Sequence, residues 1–335
     1  MPIRGKAIQF SRTGHPPDVV EVVEIDTPDA GPGEILCRIE AAPIAPSHLL
    51  TLSGGYGALP DLPAIPGNDA LATVIGIGSG VARFREGDQL LLPRGPGGWR
   101  QYATVRAEAA TIVFPPGGDP LQLSMLLANP PTAYLMLTRY VRLQPGDWVI
   151  QNAANSSTGQ YLVEIARHYG WRTVCVVRRE GTEETLTACG ADVVLVDGPD
   201  LAERVAAATG GADIRLGIDA VAGAATARLA ACLAPGATIV NYGLLSGEPC
   251  QMPPSDVVFR EITLTGFWLH KWLTEKSIAA ERDQMYALMR DLVVQGVLHA
   301  AVEATYPLTK ASEAVAHAMR DGRSGKILFT PQAEG

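Results

Sequence analysis

The sequence predicts an α/β protein in which a partly open β-barrel is joined to a doubly wound parallel sheet. The second part of the chain carries the clearer signal, because strand-like and helix-like runs alternate from Leu121 onward. The first ~115 residues are rich in Pro and Gly and contain short β-like runs, as expected of a barrel with loops. A length of 335 residues is sufficient for two domains that each bury a core.

The β-like runs of the first part are each bounded by turn residues. They are residues 19–25, 34–41, 70–77 and 88–92. The tail from residue 300 to 330 returns to this mixed texture and ends in the strand-like run Lys326–Phe329, so we assign it to the barrel. The predicted domains are therefore residues 1–119 with 301–335, and residues 120–300.

In the second part, six strands are predicted with helices between them. The strands are residues 148–152, 173–177, 193–196, 215–220, 237–242 and 261–267. The helices are residues 158–169, 182–189, 201–208 and 224–233. A longer helix, roughly residues 277–295, is expected to close this domain.

The composition is that of an ordinary globular protein, with 47% hydrophobic and 19% charged residues. A net charge of −8 argues against a general nucleic-acid or anionic-membrane binder. No uncharged apolar run approaches the ~18 residues that cross a bilayer. Five scattered cysteines form no disulfide framework, and the first ten residues contain no secretion signal, so we expect a cytosolic protein.

The loop after the first strand of the second part is the strongest functional signal. A strand, a loop of small residues and a helix form the phosphate end of a dinucleotide-binding unit. Glycines expected early in this loop are replaced by Ala153, Ala154 and Asn155, and Gly159 remains. The loop also offers the polar side chains of Asn152, Asn155, Ser156, Ser157 and Thr158. The alternative is a simple helix cap, for which Ser and Thr are also favoured.

The end of the next strand indicates which dinucleotide is bound. An NAD site places Asp or Glu there, whereas an NADP site places Arg there to meet the 2′-phosphate. This chain has Arg178 and Arg179, so NADPH is the predicted cofactor. A solvated basic turn is the alternative interpretation.

Aromatic residues occur at the ends of the last two strands. Tyr242 follows one strand, and Phe267 and Trp268 follow the other. Ligands bind outside the carboxyl ends of strands in such sheets, which makes these side chains candidate ligand contacts. Core packing is the alternative, as for most aromatic residues.

The sequence contains no clustered Cys, His, Asp or Glu of the kind that binds zinc. His48 has no Cys nearby, and the other five histidines are widely dispersed. We therefore predict no metal, and chemistry without a Lewis acid.

These motifs together resemble the medium-chain dehydrogenase/reductase superfamily over essentially the full length. Within it, the chain is most similar to the zinc-free 2-enoyl thioester reductases of mitochondrial fatty acid synthesis. The segments that carry the resemblance are 129–134 (NPPTAY), 144–156 (QPGDWVIQNAANS), 241–243 (NYG) and 266–269 (GFWL). The resemblance implies a GroES-like barrel and a Rossmann domain, the latter binding NADPH. Ala45 stands where zinc relatives carry a catalytic Cys, and Asn68-Asp69 stand where they carry His-Glu.

The resemblance also implies roles for individual residues. In these reductases a tyrosine in a Gly-Asn-Tyr-Gly segment assists reduction opposite the nicotinamide; here the segment is Gly54-Gly55-Tyr56-Gly57, so Tyr56 is the expected catalytic residue. Gly55 replaces the usual Asn. Asn129, Thr132 and Lys326 are expected to contact the cofactor.

Asn68, Trp99 and Trp268 are the expected substrate-pocket residues. For Trp99, simple packing is the alternative, and Tyr56 could likewise be a loop aromatic with no chemical role.

The expected activity is therefore NADPH-dependent reduction of the C=C bond in a carrier-bound or small-molecule enoyl substrate. One alternative function has the same fold and the same hydride transfer from NADPH, but its substrates are small enones, alkenals or quinones. A second rival is a non-catalytic NADPH-binding protein. The resemblance also implies a homodimer that pairs near residues 261–267, at an edge of the sheet.

Overall fold

The structure is a computed structural model that describes residues 1–110, 113–114 and 118–333. The chain divides into two compact units. The first contains Met1–Ala128, Ala279–Gln295 and His299–Gly335, and the second contains Asn129–Ile278 and Gly296–Leu298. Both parts of the predicted fold class are present.

The first unit is built from two sheets. Its strands are β1 (Ile3–Gln9), β2 (Glu21–Thr27), β3 (Glu34–Pro43), β4 (Leu71–Ile77), β5 (Gln89–Leu91), β6 (Tyr102–Arg106), β7 (Val113–Phe114), β14 (Val302–Tyr306) and β15 (Lys326–Phe329). β1 and β2 form an antiparallel pair, and the other seven form one sheet in the order β14-β15-β3-β4-β5-β7, with β6 also paired to β3. β3 is therefore the central strand of this unit.

Five helices with described bounds accompany these strands. They are α1 (Pro16–Val19), α2 (Pro46–Ser53), α3 (Pro120–Ser124), α11 (Ala279–Val294) and α12 (Ala311–Met319). The core contains apolar side chains from β3 and β15, such as Ile35, Ile39 and Phe329, none of which is exposed to solvent.

The second unit is a six-stranded parallel sheet with helices between the strands. Its strands are β8 (Trp148–Gln151), β9 (Arg172–Val177), β10 (Val193–Val196), β11 (Leu216–Asp219), β12 (Thr238–Asn241) and β13 (Thr263–Gly266). Its helices are α4 (Asn129–Arg139), α5 (Ser157–His168), α6 (Glu183–Cys189), α7 (Leu201–Thr209), α8 (Ala224–Ala231), α9 (Pro254–Val258) and α10 (Leu269–Lys271). All six predicted strands are present within two residues of the predicted ends.

The strand order of this sheet is β10-β9-β8-β11-β12-β13, and every neighbouring pair is parallel. The order reverses direction between β8 and β11. In open α/β sheets, ligands bind outside the carboxyl ends of the strands at such a reversal. The loop that follows β8 therefore lies at the expected binding edge.

The structure revises the predicted domain boundaries in two places. Helix α3 lies with the first unit, because it packs on β3 and β4. The long helix, predicted to close the second domain, is α11 and also belongs to the first unit, where it packs on α3. Its Tyr286 hydroxyl donates a hydrogen bond of 3.2 Å to the Leu127 carbonyl. Sequence periodicity identified the helix but could not identify the surface that covers its apolar face.

Candidate functional site

The loop between β8 and α5 is shaped by its last glycine. A Cβ atom added to Gly159 would lie 2.8 Å from the Ala154 Cα, closer than real Cβ contacts allow. Ser156 caps α5, and its side chain accepts a hydrogen bond of 3.1 Å from the Gly159 N–H. Ala153 adopts a positive φ of 48°, a conformation that glycine normally provides. The backbone thus keeps a tight turn at the N-terminus of α5, which suits a pyrophosphate.

A buried carboxylate that the sequence analysis missed holds this loop to its neighbours. Asp219, at the end of β11, has no solvent-exposed surface. Its Oδ1 accepts hydrogen bonds from the Asn152 Nδ2 at 2.6 Å and from two backbone N–H groups at 2.9 and 3.0 Å. Its Oδ2 accepts from the Thr226 hydroxyl at 2.6 Å and the Asn241 Nδ2 at 3.3 Å.

This network connects the carboxyl ends of three adjacent strands, β8, β11 and β12. The Asn152 Oδ1 in turn accepts a hydrogen bond of 2.7 Å from the Ala220 N–H. Asn152 was predicted as a cofactor contact, but both the Nδ2 and the Oδ1 of its side chain are hydrogen-bonded within the protein. An acidic residue that ends an apolar strand was the available sequence signal for Asp219.

Hydroxyl groups gather beside the capped end of α5. The Tyr242 side chain hydrogen-bonds with those of Ser156 and Thr158, and burial raises the pKa of its hydroxyl to about 12. The Thr158 hydroxyl also donates to the Asn129 Oδ1 at 3.3 Å. Four residues predicted from three motifs are therefore linked by hydrogen bonds, and Tyr242 stays protonated at neutral pH.

The remaining residues predicted for the cofactor lie around this cluster. Arg178 and Arg179 are exposed directly after β9. Ser157 begins α5 and Thr132 lies on α4, both partly exposed, while Asn155 is exposed. A tight backbone turn, a helix N-terminus and two exposed guanidinium groups fit a dinucleotide that carries a 2′-phosphate.

The end of β13 carries the other two predicted aromatic residues. Phe267 is buried and donates its N–H to the Asn241 carbonyl at 2.8 Å. Trp268 keeps 37% of its surface exposed and lies 5.0 Å from the His270 ring, centroid to centroid. A single π-helical turn, Trp272–Lys276, follows at once, and such turns are frequent at functional sites. Trp268 is therefore available to a ligand, whereas Phe267 is mainly structural.

In the first unit, the predicted catalytic residue lies in the loop that follows α2. The helix ends at Gly54, whose φ of 84° requires a residue without a Cβ atom. Tyr56, two residues later, is partly exposed. A glycine precedes it and another follows it.

His48, on helix α2, contacts two backbone N–H groups of the first unit. It is buried, and its ring nitrogens lie 3.1 Å from the backbone N–H groups of Ala45 and Asn68. Burial lowers the pKa of His48 to about 4, opposed by Asp69 and reinforced by Lys326 and Arg94. A neutral imidazole has one acceptor nitrogen, so His48 can accept a hydrogen bond from only one of these two N–H groups. The side chain of Asn68, which was predicted for the substrate pocket, is exposed.

Trp99 lies in the core and not on a pocket surface. Its side chain has no exposed area, and it packs against His48 and Phe329 at centroid distances of 5.6 and 5.0 Å. A Cβ atom on Gly67 would collide with the indole, so Gly67 must stay glycine. The packing interpretation, left open by the sequence, is the one that the structure supports.

Lys326 begins β15 and is 5% exposed. Burial lowers its pKa to about 8, while nearby Asp69 raises it. The preceding turn is held by Glu303, whose carboxylate accepts from the Ser324 hydroxyl at 3.1 Å and the Gly325 N–H at 3.2 Å. The predicted cofactor lysine is therefore a buried cation in a rigid strand.

Two absences hold for the described residues. No group of three or more His, Cys, Asp or Glu side chains is arranged to hold a metal ion. None of the described helices combines the length and apolar character that a bilayer crossing requires. Metal-free chemistry remains a prediction.

Comparison with known proteins agrees with both units. Residues 31–115 match the family model of the alcohol dehydrogenase GroES-like domain, and residues 157–289 match that of the zinc-binding dehydrogenases. The human mitochondrial enoyl-[acyl-carrier-protein] reductase is 33% identical over 338 residues, which span 98% of this chain and 89% of the human protein.

Solved structures extend this similarity. The mitochondrial 2-enoyl thioester reductase Etr1p/Etr2p heterodimer from Candida tropicalis matches with a TM-score of 0.88 at 26% identity, covering 98% and 100% of the two chains. Etr1p was also solved with NADP and crotonyl-CoA. A candidate NADPH:quinone reductase from Bacillus thuringiensis matches with a TM-score of 0.88 at 28% identity, covering 98% and 99%. The chain therefore belongs to the medium-chain dehydrogenase/reductase superfamily, in the family of the enoyl thioester reductases.

Proposed function

We propose that this protein reduces the C=C bond of trans-2-enoyl thioesters with NADPH and without a metal ion. The observation that carries this proposal is the similarity to enoyl-[acyl-carrier-protein] reductases, which extends over 98% of the chain. The tight loop at α5 and the exposed Arg178 and Arg179 support NADPH as the cofactor.

In the proposed mechanism, bound NADPH supplies the hydride that adds to the β-carbon of the thioester. Negative charge then develops on the carbonyl oxygen, and hydrogen-bond donors already in place must stabilise it. The Tyr56 hydroxyl is the donor we assign to that oxygen, or the source of the proton that adds to the α-carbon. Asn68 and Trp268 are proposed to line the substrate pocket, with Trp99 supporting it from the core.

A substrate panel tests this proposal directly. NADPH oxidation is measured with crotonyl-CoA, with a crotonyl pantetheine thioester, and with simple enones, alkenals and quinones. A thioester reductase should show a kcat/KM for the thioesters at least ~10-fold above that for the enones, since the thioester carrier adds binding energy. NADH in place of NADPH is the cofactor control.

A second candidate function is reduction of small enones or quinones. The similarity to the Bacillus thuringiensis protein favours it. It predicts that quinones or enones are the better substrates in the same panel. Tight NADPH binding with no turnover of any activated alkene would instead indicate a non-catalytic protein.

We also propose a homodimer that forms through β13. This strand is at the edge of its sheet, and apolar side chains beside it are exposed, Phe259 to 83% and Leu264 to 37%. Exposed apolar surface along an unpaired strand is typical of an interface. Light scattering should give twice the chain mass, and Phe259→Ser should lower it, whereas Met319→Ser, on the first unit, should not. The cytosolic location also remains a prediction.

A further inference from the structure

A tight turn follows Tyr242 at the end of β12 and exposes two adjacent leucines. The Gly247 N–H donates a hydrogen bond of 3.0 Å to the Leu244 carbonyl, which closes the turn of residues 244–247. Leu244 is 59% exposed and Leu245 is 63% exposed. Single exposed apolar side chains are ordinary, but an adjacent pair on a fixed turn at a ligand-binding edge indicates a contact surface.

The backbone of this turn is fixed to the loop that follows β11. The Leu245 N–H donates a hydrogen bond of 3.2 Å to the Ala220 carbonyl. The next N–H, that of Ser246, donates to the Val221 carbonyl at 2.9 Å. A Cβ atom on Gly243 would lie 2.5 Å from the Ala220 carbonyl oxygen, so a glycine is needed for this close approach. The two leucines are therefore presented by a preformed backbone, which lowers the ordering cost of binding.

The attachment to the loop after β11 determines the side of the sheet toward which the turn leans. β11 lies between β12 and β8, whereas the edge strand β13 lies on the opposite side of β12. The turn therefore leans toward the reversal of strand order between β8 and β11, where ligands bind in open α/β sheets. The Ala220 N–H also donates to the Asn152 Oδ1 at 2.7 Å, so the same loop contacts the end of β8.

The chemistry of the surroundings indicates which part of a ligand the leucines contact. The hydroxyl of the preceding Tyr242 is hydrogen-bonded with those of Ser156 and Thr158 at the N-terminus of α5, a polar environment that suits the dinucleotide. Leu244 and Leu245 have neither a charge nor a side-chain hydrogen-bonding group, so they gain free energy by covering apolar surface. The acyl chain is the extended apolar part of the ligands in the proposed reaction.

We propose that Leu244 and Leu245 bind the acyl chain of the thioester and set the chain length that this protein prefers. Each methylene group that the pair covers should raise the affinity for the substrate by about 4-fold, the value of one buried CH₂ group. This inference rests on the proposed function for the thioester, but it concerns the apolar chain, which an alkenal carries as well.

The first experiment compares substrates that differ only in chain length. The value of kcat/KM is measured with crotonyl-CoA and with trans-2-octenoyl-CoA, and the ratio of the two values is the readout. In the unchanged protein the ratio should favour octenoyl-CoA by about 10-fold or more, because its additional methylene groups are covered. In the double variant Leu244→Ser/Leu245→Ser the ratio should fall toward one, mainly through a higher KM for octenoyl-CoA, while the dissociation constant of NADPH stays unchanged.

Two control variants accompany this measurement. Leu244→Met/Leu245→Met should keep the preference for octenoyl-CoA, since methionine has a similar volume and is apolar. Val294→Ser, on α11 of the first unit, removes an apolar side chain that is 63% exposed, as Leu245 is, and should leave the ratio unchanged. An unchanged ratio in the double serine variant would overturn the proposal, and so would an equal fall in Val294→Ser.

The second experiment separates the chain from the group that carries it. The same ratio is measured with crotonaldehyde and trans-2-octenal. If only the aldehydes react, the proposed function is wrong, but their ratio still tests the two leucines. If neither class reacts, calorimetry with butanoyl-CoA and octanoyl-CoA in the presence of NADP⁺ replaces turnover. Octanoyl-CoA should then bind more tightly, and the double serine variant should abolish the difference; equal affinities in the unchanged protein would overturn the proposal.

A second copy of the chain is the alternative occupant of this surface, and light scattering tests it. The double serine variant should keep the mass of the unchanged protein, because the turn leans away from β13. A lower mass would assign the leucines to an interface between copies and would overturn the proposal.

Discussion

Asp69 in the first unit and Asp219 in the second are both buried, but their carboxylates have very different hydrogen-bond partners. Asp219 in the second unit accepts five hydrogen bonds, so both of its oxygens are saturated by the protein. Asp69 in the first unit leaves Oδ1 without a partner in the described residues. Both are at least 97% buried by surface area, with exposed fractions of 0% and 3%. The comparison teaches that burial alone does not define a role, because the protein engages both oxygens of one buried carboxylate and leaves one oxygen of the other without a partner in the described residues.

The largest expected effect comes from breaking the saturated network. Asp219→Asn should lower the free energy of unfolding by about 3–5 kcal/mol, since an amide cannot accept all five bonds and leaves buried donors unpaired. Urea unfolding at pH 7 measures this. Asp69→Asn is the matched control and should cost less, about 1–2 kcal/mol, because Oδ1 has no hydrogen bond to lose in the described residues and only the favourable interaction with Lys326 is removed. Equal losses in the two variants would contradict the comparison.

The second largest expected effect is a loss of unfolding free energy at low pH, and it depends on His48 in the first unit. His48 has a folded pKa of about 4, below its unfolded value of 6.5. The unfolded state therefore takes up a proton first, and stability is full above pH 6.5 and is lost as the pH falls toward 4. The total loss from this group is about 3 kcal/mol.

His48→Gln should remove most of this loss, measured by urea unfolding at pH 7 and pH 4.5. His168, which is exposed on α5, provides the control, and His168→Gln should keep the pH dependence of the unchanged protein. If His48→Gln unfolds with the same pH dependence as the unchanged protein, His48 is not the group responsible.

The third prediction tests the catalytic role of Tyr56 in the first unit. Tyr56→Phe should lower kcat by ~10²-fold or more, because the donor to the developing oxyanion is lost. The affinity for NADPH and the unfolding free energy should stay unchanged, since the residue is in an exposed loop. Steady-state kinetics and fluorescence titration measure these values. Tyr102→Phe, a partly exposed tyrosine on β6, is the control, and unchanged turnover in Tyr56→Phe removes Tyr56 from the mechanism.

The smallest expected effect is a loss of NADPH affinity when two surface arginines of the second unit are replaced. Replacement of Arg178 and Arg179 by Ala should weaken NADPH binding by about 10-fold, the value of one charge-assisted contact to phosphate. NADH binding should be unchanged, because NADH has no 2′-phosphate. Arg167→Ala, an exposed arginine at the end of α5, is the control. An equal loss for NADH and NADPH would mean that the arginines do not read the phosphate.

The sequence predicted most of the fold, because local patterns carry it. The parallel sheet is signalled by apolar runs bounded by turn residues, and all six strands were located from these alone. The candidate site was predicted less completely. Ser156 and Thr158 were named from the loop after β8 and Tyr242 from the end of β12, and the structure brings their side chains into contact. Asp219 was missed, since an acid that ends an apolar strand is a weak signal and its five hydrogen-bond donors come from distant parts of the chain as well as from its own loop.

Tertiary structure alone decided how the ends of distant segments meet. The helix at Ala279–Val294 was predicted from the sequence, but only packing shows that it contacts α3 and belongs to the first unit. Asp69 and Lys326 are 257 positions apart, and sheet register places them on either side of β3. The sequence by itself determined the two domain types, the tight loop and the arginines after β9, because these depend on neighbouring residues. Charge compensation and hydrogen-bond satisfaction depend on distances across the fold, and no local pattern encodes them.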